Sequence, residues 1–206
     1  GPISSGPTVF DTSTVYDAKR IALRYKLPRM TFTETPKNNK YFELVENILC
    51  ISNIDAADAM LKRAEKLGFA SVLYSLQTEG EARDVGKMLA KMLRPKTMLI
   101  AAGETTVTIR GKGKGGRNQE LILGALPYLP SGAVAVSFAS DGRDHSDAAG
   151  AIADSYSFGK AKKMKLNYAK YLKQNNAYQF LTQLGGLVFA DQKAANVSDL
   201  MVFARK

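Results

Sequence analysis

Between Gly103 and Glu120 the chain reads GETTVTIRGKGKGGRNQE. Glycines at 111, 113, 115 and 116 alternate with Lys112 and Lys114, and Arg110 and Arg117 close the two ends with no acid between them. Glycine removes the side chains that would keep an anion away from the backbone. The loop runs into an expected helix start, where unpaired N–H groups and the helix dipole favour negative charge. Arg117 falls in that first turn, and its planar fork matches phosphate or carboxylate through two parallel hydrogen bonds. The chemistry suited to this set is the holding of a phosphoryl group. The plain alternative is a basic hairpin tip that merely keeps the surface soluble. No lysine followed by Ser or Thr closes the loop, so it is not a Walker A loop. The glycine spacing is read as different from that of a dinucleotide fingerprint, and the strand before the loop as antiparallel.

A second cluster is SDGRDHSDAAGA, with Asp141, Asp144 and Asp147 just beyond an apolar strand. Ligand sites of open α/β sheets gather at the carboxyl ends of strands. Carboxylates there could hold magnesium or orient a substrate hydroxyl. The structural alternative has Asp141 and Asp144 shaping turns and Asp147 capping a following helix. Asn196 and Asp199 in NVSDL suit Asx turns beside the last strand. Glu79 and Glu81 sit where they complement a helix dipole. The run KAKKMK, Lys160 to Lys165, is the best local case for nucleic acid, but a solvated helix face accounts for it and no RRM, KH or helix-turn-helix signature accompanies it. His145 is the only histidine and Cys50 the only cysteine, which leaves little room for a histidine-rich metal site, a Ser/His/Asp triad or an intramolecular disulfide. Cys50 lies in the apolar run ILCI and is expected as a buried inert thiol, in keeping with a reducing cytoplasm.

The elements that must position these residues follow from periodicity and punctuation. Val15, Ala18, Ile21, Ala22 and Tyr25 form one face of a helix capped by Ser13 or Thr14 and stopped by Pro28. NILCIS is expected as a buried strand. Asn53 or Asp55 caps the helix AADAMLKRAEKLG, which Gly68 closes. ASVLYSL, a helix over TEGEARDVGKMLAKML ended by Pro95, and KTMLIAA continue the alternation. Such an order argues for a parallel sheet with right-handed crossovers. TTVTIR alternates with period two and is expected as an antiparallel hairpin arm. RNQELILGALPYL reads as an amphipathic helix and GAVAVSFAS as a strand. Two or three helices are expected from Asp154 to Leu184, broken near Lys165–Asn167, with GLVFA and DLMVFAR as the last strands. The fold class is α/β, a mixed sheet flanked by helices: one domain over 37–206 and an appendage over 1–36. Gly1 and Pro2 read as the scar of a cleaved tag.

The chain has 206 residues, 45% hydrophobic and 23% charged, with a net charge of +10. It can bury a core and has no apolar run of the ~20 residues that a membrane span requires. The positive balance draws anions, whether nucleic acid, membrane surface or phosphorylated small molecules.

Taken in order, GETTVTIRGKGKGGRNQE, SDGRDHSDAAGA, NNAYQFL and NVSDL resemble the MOFRL domain of the type II glycerate kinases, here over about 98–206. SSGPTVFD and TEGEARDVG resemble stretches that precede that domain in the same enzymes. The resemblance implies two α/β domains with the active site between them, of which this chain is the C-terminal one. It implies transfer of the γ-phosphoryl group of ATP to glycerate with Mg2+, giving 2-phosphoglycerate, in the cytoplasm. Carried over by motif, Arg117 is the catalytic arginine. Lys112, Lys114, Gly115, Gly116, Asn118 and Glu104 belong to the anion loop, Asp144, Asp147, Asn196 and Asp199 to the substrate side, and Asp141 to the metal. The partners implied are glycerate, the nucleotide and a missing N-terminal domain that supplies a lysine and an aspartate, so this piece alone is expected to turn over little or nothing. No nucleic acid or membrane partner is expected. Two departures stand out. Asp191-Gln192-Lys193-Ala194-Ala195 replaces a Gly-Pro-Thr-Gly-Thr-like run, and His145-Ser146 stands where glycine and proline are common. Two other readings remain: a non-catalytic anion or nucleotide binder, and a basic nucleic-acid binder. A third label used for related sequences, hydroxypyruvate reductase, finds no dinucleotide fingerprint here.

Overall fold

In the computed structural model, residues 8–191 and 196–206 are described. Gly1 and Pro2, all of SSGP and all but the first residue of the altered 191–195 run lie outside them. The chain divides into two units, Gly1–Cys50 and Ile51–Lys206.

In the first unit α1 spans Val15–Arg24. Thr14 caps it: its hydroxyl accepts the Asp17 N–H while the Asp17 carboxylate accepts the Thr14 N–H, a reciprocal capping box. No described residue of this unit is fully buried. The NILCIS run is a correction to the expected strand. It has no strand assignment, Ile48 and Leu49 are 73% and 71% exposed, and Cys50 is exposed rather than buried. An apolar run becomes a strand only where a neighbour pairs with it, and no ladder includes these residues among those described.

In the second unit, α2 spans Asn53–Lys66. Its cap is Ser52, just ahead of the expected Asn53 or Asp55, with Asp55 closing the capping box. Gly68 follows its end at φ +81, the left-handed position glycine takes without strain. Then come β1 (Ala70–Thr78), α3 (Ala82–Met92), β2 (Thr97–Gly103), α4 (Arg117–Ala125), β3 (Ala133–Ala139), β4 (Gly150–Asp154), α5 (Ser157–Lys163), α6 (Tyr168–Lys173), α7 (Ala177–Leu184), β5 (Leu187–Val188) and β6 (Asp199–Arg205). The strands form one mixed sheet in the order β1-β2-β6-β3-β4-β5. Only β1 and β2, joined through α3, pair in parallel. The last strand inserts between β2 and β3, antiparallel to both, so the expected run of parallel crossovers stops after one.

Three further expectations change. GAIAD, within the acidic region, is β4 and pairs with β3, so no helix follows for Asp147 to cap. TTVTIR forms no hairpin arm, since its one ladder contact is a parallel bridge between Thr106 and Glu81. Finally, α4 is not amphipathic: every residue from Asn118 to Ala125 is buried. The reason is its place, packed against α3, α7, β3 and β4. Leu121, Ile122 and Leu123 join Leu89, Phe180, Met201 and Phe203 in the main core. On the other sheet face α2 sets Ala57 and Ala64 against Ile100 and Val202. Among the described residues no helix is long and apolar enough to cross a membrane.

Candidate functional site

One row of the sheet assembles the site. Gly103 at the end of β2 and Ala139 at the end of β3 both pair with Asp199 at the start of β6. Glu104 leaves β2, and Ser140 and Asp141 leave β3, beside that same row. The helix entering above it is α4, whose first residue is Arg117.

The Arg117 guanidinium is anchored on one edge. Its Nε and Nη2 both donate to the buried Asp199 carboxylate, the latter at 3.1 Å. Its Nη1 donates to the exposed Glu104 carboxylate at 2.8 Å. The hydrogen bonds from Asp199 hold the guanidinium charged by raising its pKa, against the opposing pull of burial. Arg117 also lines a cavity of about 480 Å³, with Glu104, Thr105, Gly115, Gly116 and Asp144 among its walls. The N–H groups of Gly115, Gly116 and Arg117 have no acceptor among the described residues. The Thr105 hydroxyl, 2% exposed, has none either.

Asp144 occupies the rest of the helix start. Its two oxygens accept the N–H groups of Asn118 at 3.1 Å and Gln119 at 2.9 Å. No side chain caps α4 locally, so a residue from the β3–β4 connection does so. Gly116 makes this possible: a Cβ there would lie 2.1 Å from the Asp144 carbonyl oxygen. Burial raises the Asp144 pKa, against the hydrogen bonds from Gln119 and Asn118. Asn118, expected among the anion ligands, is instead fully buried: its side chain donates to Asp144 and accepts from the Ser137 hydroxyl. Both residues act on the helix start from within.

The loop amides expected to be freed by glycine are largely taken. Asn175 Oδ1 accepts the N–H of Arg110 at 2.7 Å and of Gly111 at 3.1 Å. Gly113 N–H donates to the Gln174 carbonyl and Lys114 N–H to Asn176 Oδ1. The glycines at 111 and 113 admit the backbone of 174–176, not a ligand. Among the described residues of the loop, the N–H groups of Lys112 and of the turn at 115–117 have no acceptor.

Lys114 is paired. Its ammonium lies 3.0 Å from Asp147 and 3.7 Å from the Tyr178 ring centroid, and Tyr178 O–H donates to the same Asp147. The hydrogen bond with Asp147 raises the lysine pKa and, chiefly, lowers that of the aspartate. Lys112 lines a different concavity, on the α6 side of the loop. Asp141 forms a turn, accepting the Arg143 N–H, and receives the Asn196 amide at 3.4 Å. The three carboxylates of the acidic loop therefore face three different partners. Among the described residues no group of three His, Cys, Asp or Glu side chains is placed to hold a metal ion.

Sequence reasoning missed the support behind the loop. Arg83 on α3 donates to the buried Glu120 carboxylate through Nε at 2.8 Å and through Nη2. Glu120 accepts from Asn175 Nδ2 at 3.0 Å, and the same amide reaches the Thr108 carbonyl. Glu81 accepts both the N–H and O–H of Thr108. Two signals were in the chain: an acid inside the apolar run of α4, and paired asparagines between two helices.

Residues 97–199 match the family model described as the MOFRL family. Among curated proteins, a Glycerate 2-kinase of Pyrococcus horikoshii is 36% identical over 97% of this chain and 51% of its own length. A D-glycerate 2-kinase of Thermotoga maritima is 32% identical over 97% of this chain and 52% of its own. A Putative hydroxypyruvate reductase of Agrobacterium vitis is 30% identical over 96% and 50%. The crystal structure of glycerate kinase from Thermotoga maritima superposes with a TM-score of 0.83 at 32% identity, covering 99% of this chain and 53% of that one. The chain spans about half the length of the curated relatives it matches.

Proposed function

On the premise that the chain belongs to the MOFRL family, we propose that it is the C-terminal part of an ATP-dependent, cytoplasmic glycerate 2-kinase and carries the phosphate-holding wall of its active site. The observation that carries the reading is Arg117. It is fixed by Asp199 on one edge and lines a cavity beside three N–H groups without acceptors. The names of the relatives supply the reaction, and the partners proposed are glycerate, a nucleotide and the remaining half of the enzyme.

Phosphoryl transfer is catalysed mainly by positioning and by neutralising charge on the equatorial oxygens. Bound ATP would supply the γ-phosphoryl group; a glycerate hydroxyl oxygen bonds to its phosphorus as the bond to the bridging oxygen breaks, ADP leaves and the hydroxyl proton is released to solvent. The chain's own part is electrostatic. Asp199 holds the Nε and Nη2 edge of Arg117 and keeps the guanidinium charged and aimed. The Nη1 edge exchanges exposed Glu104 for an equatorial oxygen. The N–H groups of Gly115–Arg117 and the Thr105 hydroxyl complete the cradle, at a helix start where negative charge is favoured. The orphaned Thr105 hydroxyl is the observation that suits the cavity to a polar ligand. Magnesium, held by one or two carboxylates together with phosphate oxygens and water, would be reached from this chain by Asp141; no group of three metal-ligating side chains is assembled among the described residues.

The reductase name among the relatives carries less. Gly111, Gly113 and Gly116 do fall at the G-x-G-x-x-G spacing, but that fingerprint needs a strand leading directly into the glycines. Here β2 ends at Gly103 and an irregular segment intervenes.

The test is a chimera in which this chain replaces the half of the Thermotoga maritima enzyme it matches. ATP and glycerate should yield phosphoglycerate, and Arg117→Ala should lower turnover by about a hundred- to a thousandfold with the circular dichroism spectrum unchanged. A folded chimera that binds nucleotide without turnover supports the binding-module reading instead. Undiminished turnover in Arg117→Ala removes the arginine from the mechanism.

A further inference from the structure

The glycine loop has a second side. Arg110, Gly111 and Lys112 face α6 across a concavity of about 720 Å³, closed by Asn167, Lys170, Lys173 and Gln174. Its charged lining is Arg110, Lys112, Lys170 and Lys173, with no acid. None of these four cations has a carboxylate partner among the described residues.

The contrast with the other side of the loop is informative. In the Arg117 cavity the guanidinium of Arg117 is paired with Glu104 and the buried Asp199, and Asp144 also lines the walls. Lys114, on the same loop, has Asp147 as its counter-ion. Of the loop's cations, Arg117 and Lys114 have carboxylate partners, whereas Arg110 and Lys112, which face α6, have none among the described residues. The dipole of α6 accounts for lysines in its last turn. It does not account for Arg110 and Lys112 facing them from another element. Four like charges around one hollow repel one another unless an anion joins them.

The walls are built rather than incidental. Asn175 ties the Arg110 and Gly111 N–H groups. A Cβ at Gly111 would lie 2.4 Å from the Gln174 backbone, so the loop can rest on the end of α6 only with glycine there. Asn167 fixes the other end of α6 by accepting the Lys170 N–H.

We propose that this concavity is a second anion site, separate from the Arg117 cavity, that binds a chain of two or more linked phosphate groups through Arg110, Lys112, Lys170 and Lys173. A single phosphate monoester carries about −1.5 to −2 charges, so two or three linked groups match four cations. Because the cations are exposed, binding weakens as salt screens them. Occupancy holds the outer side of the loop whose inner turn carries the 115–117 N–H groups.

Isothermal titration of the 206-residue chain at low salt tests this, using tripolyphosphate, pyrophosphate, orthophosphate and ADP. Tripolyphosphate should bind more tightly than orthophosphate. The double variant Lys170→Glu/Lys173→Glu should weaken it by about tenfold or more, with an unchanged melting temperature. Arg117→Ala should leave it unaffected, which separates this site from the proposed transfer cavity. ADP binding more tightly than pyrophosphate names nucleotide phosphates as the source, and equal binding names the bare phosphate chain; both keep the site. Indifference to the double charge reversal overturns the proposal, as does loss of binding in Arg117→Ala alone. A generic DNA duplex that outcompetes tripolyphosphate, with the same dependence on Lys170 and Lys173, overturns it in favour of nucleic acid.

Discussion

Asp144 stands where an anion would sit on the first turn of α4. Its carboxylate takes the N–H groups of Asn118 and Gln119, which leaves the preceding turn at 115–117 for a ligand. Fixing this charge in a buried position has a signature in pH. Burial raises the Asp144 pKa above the ordinary carboxylate value, so ionisation is harder in the folded chain than in the unfolded one. The stability tied to the protonated form is complete below the ordinary range and is lost as pH rises through the raised value. Asp144→Asn cannot ionise. The difference in unfolding free energy between Asp144→Asn and the parent chain, from denaturant titrations between about pH 4 and pH 7, should therefore shift in the variant's favour as pH rises. A flat difference would mean that Asp144 titrates as an ordinary surface acid. Arg117 shows the complementary device: one edge is spent on a buried acid so that the other is correctly aimed, and its present partner Glu104 is exposed enough to be exchanged.

The glycine loop is an element without regular structure of its own, and neighbouring elements shape it. Asn175, between α6 and α7, has φ +51 and accepts from two consecutive loop amides while donating to Glu120 and Thr108. Asn tolerates this left-handed backbone better than most residues, and glycine tolerates it better still. Asn175→Gly therefore removes the clamp without adding backbone strain. It should lower the unfolding free energy by roughly 1–3 kcal/mol, the cost of buried groups left without partners. Amide exchange at Arg110 and Gly111 should accelerate while that of the β6 strand does not. Equal protection of both amides in variant and parent would show that the loop holds its shape without the clamp.

For the whole molecule, the buried residues belong to the second unit, Ile51–Lys206, and the first contributes none among those described. Core burial is the main source of cooperative stability. A chain beginning at Ile51 should melt within about 2–4 °C of the 206-residue chain, the span of 1 kcal/mol for a protein of this size, by differential scanning calorimetry. A larger loss would place part of the stabilising core in the first unit. Local signals were sufficient for α2, α3, β2 and β6, because helix periodicity, capping residues and apolar runs act within a few positions of themselves. Gly68 closing α2 and the break between α5 and α6 were legible for the same reason, and so was the helix start at Arg117. NILCIS shows the limit, since an apolar run needs a pairing neighbour that its own residues do not specify. GAIAD went unread as β4 because its residues are mostly small. The roles of the charged groups lay further out of reach. Arg117 meets Asp199 across 82 residues of chain, and Asn118 meets Asp144 across 26. By itself the sequence determined where a basic, glycine-rich segment meets a helix start and which stretches fold locally. Only the tertiary structure decided which amides remain available, which cations are already neutralised and which acids are buried, because each of those depends on partners that chain separation does not encode and packing alone brings together.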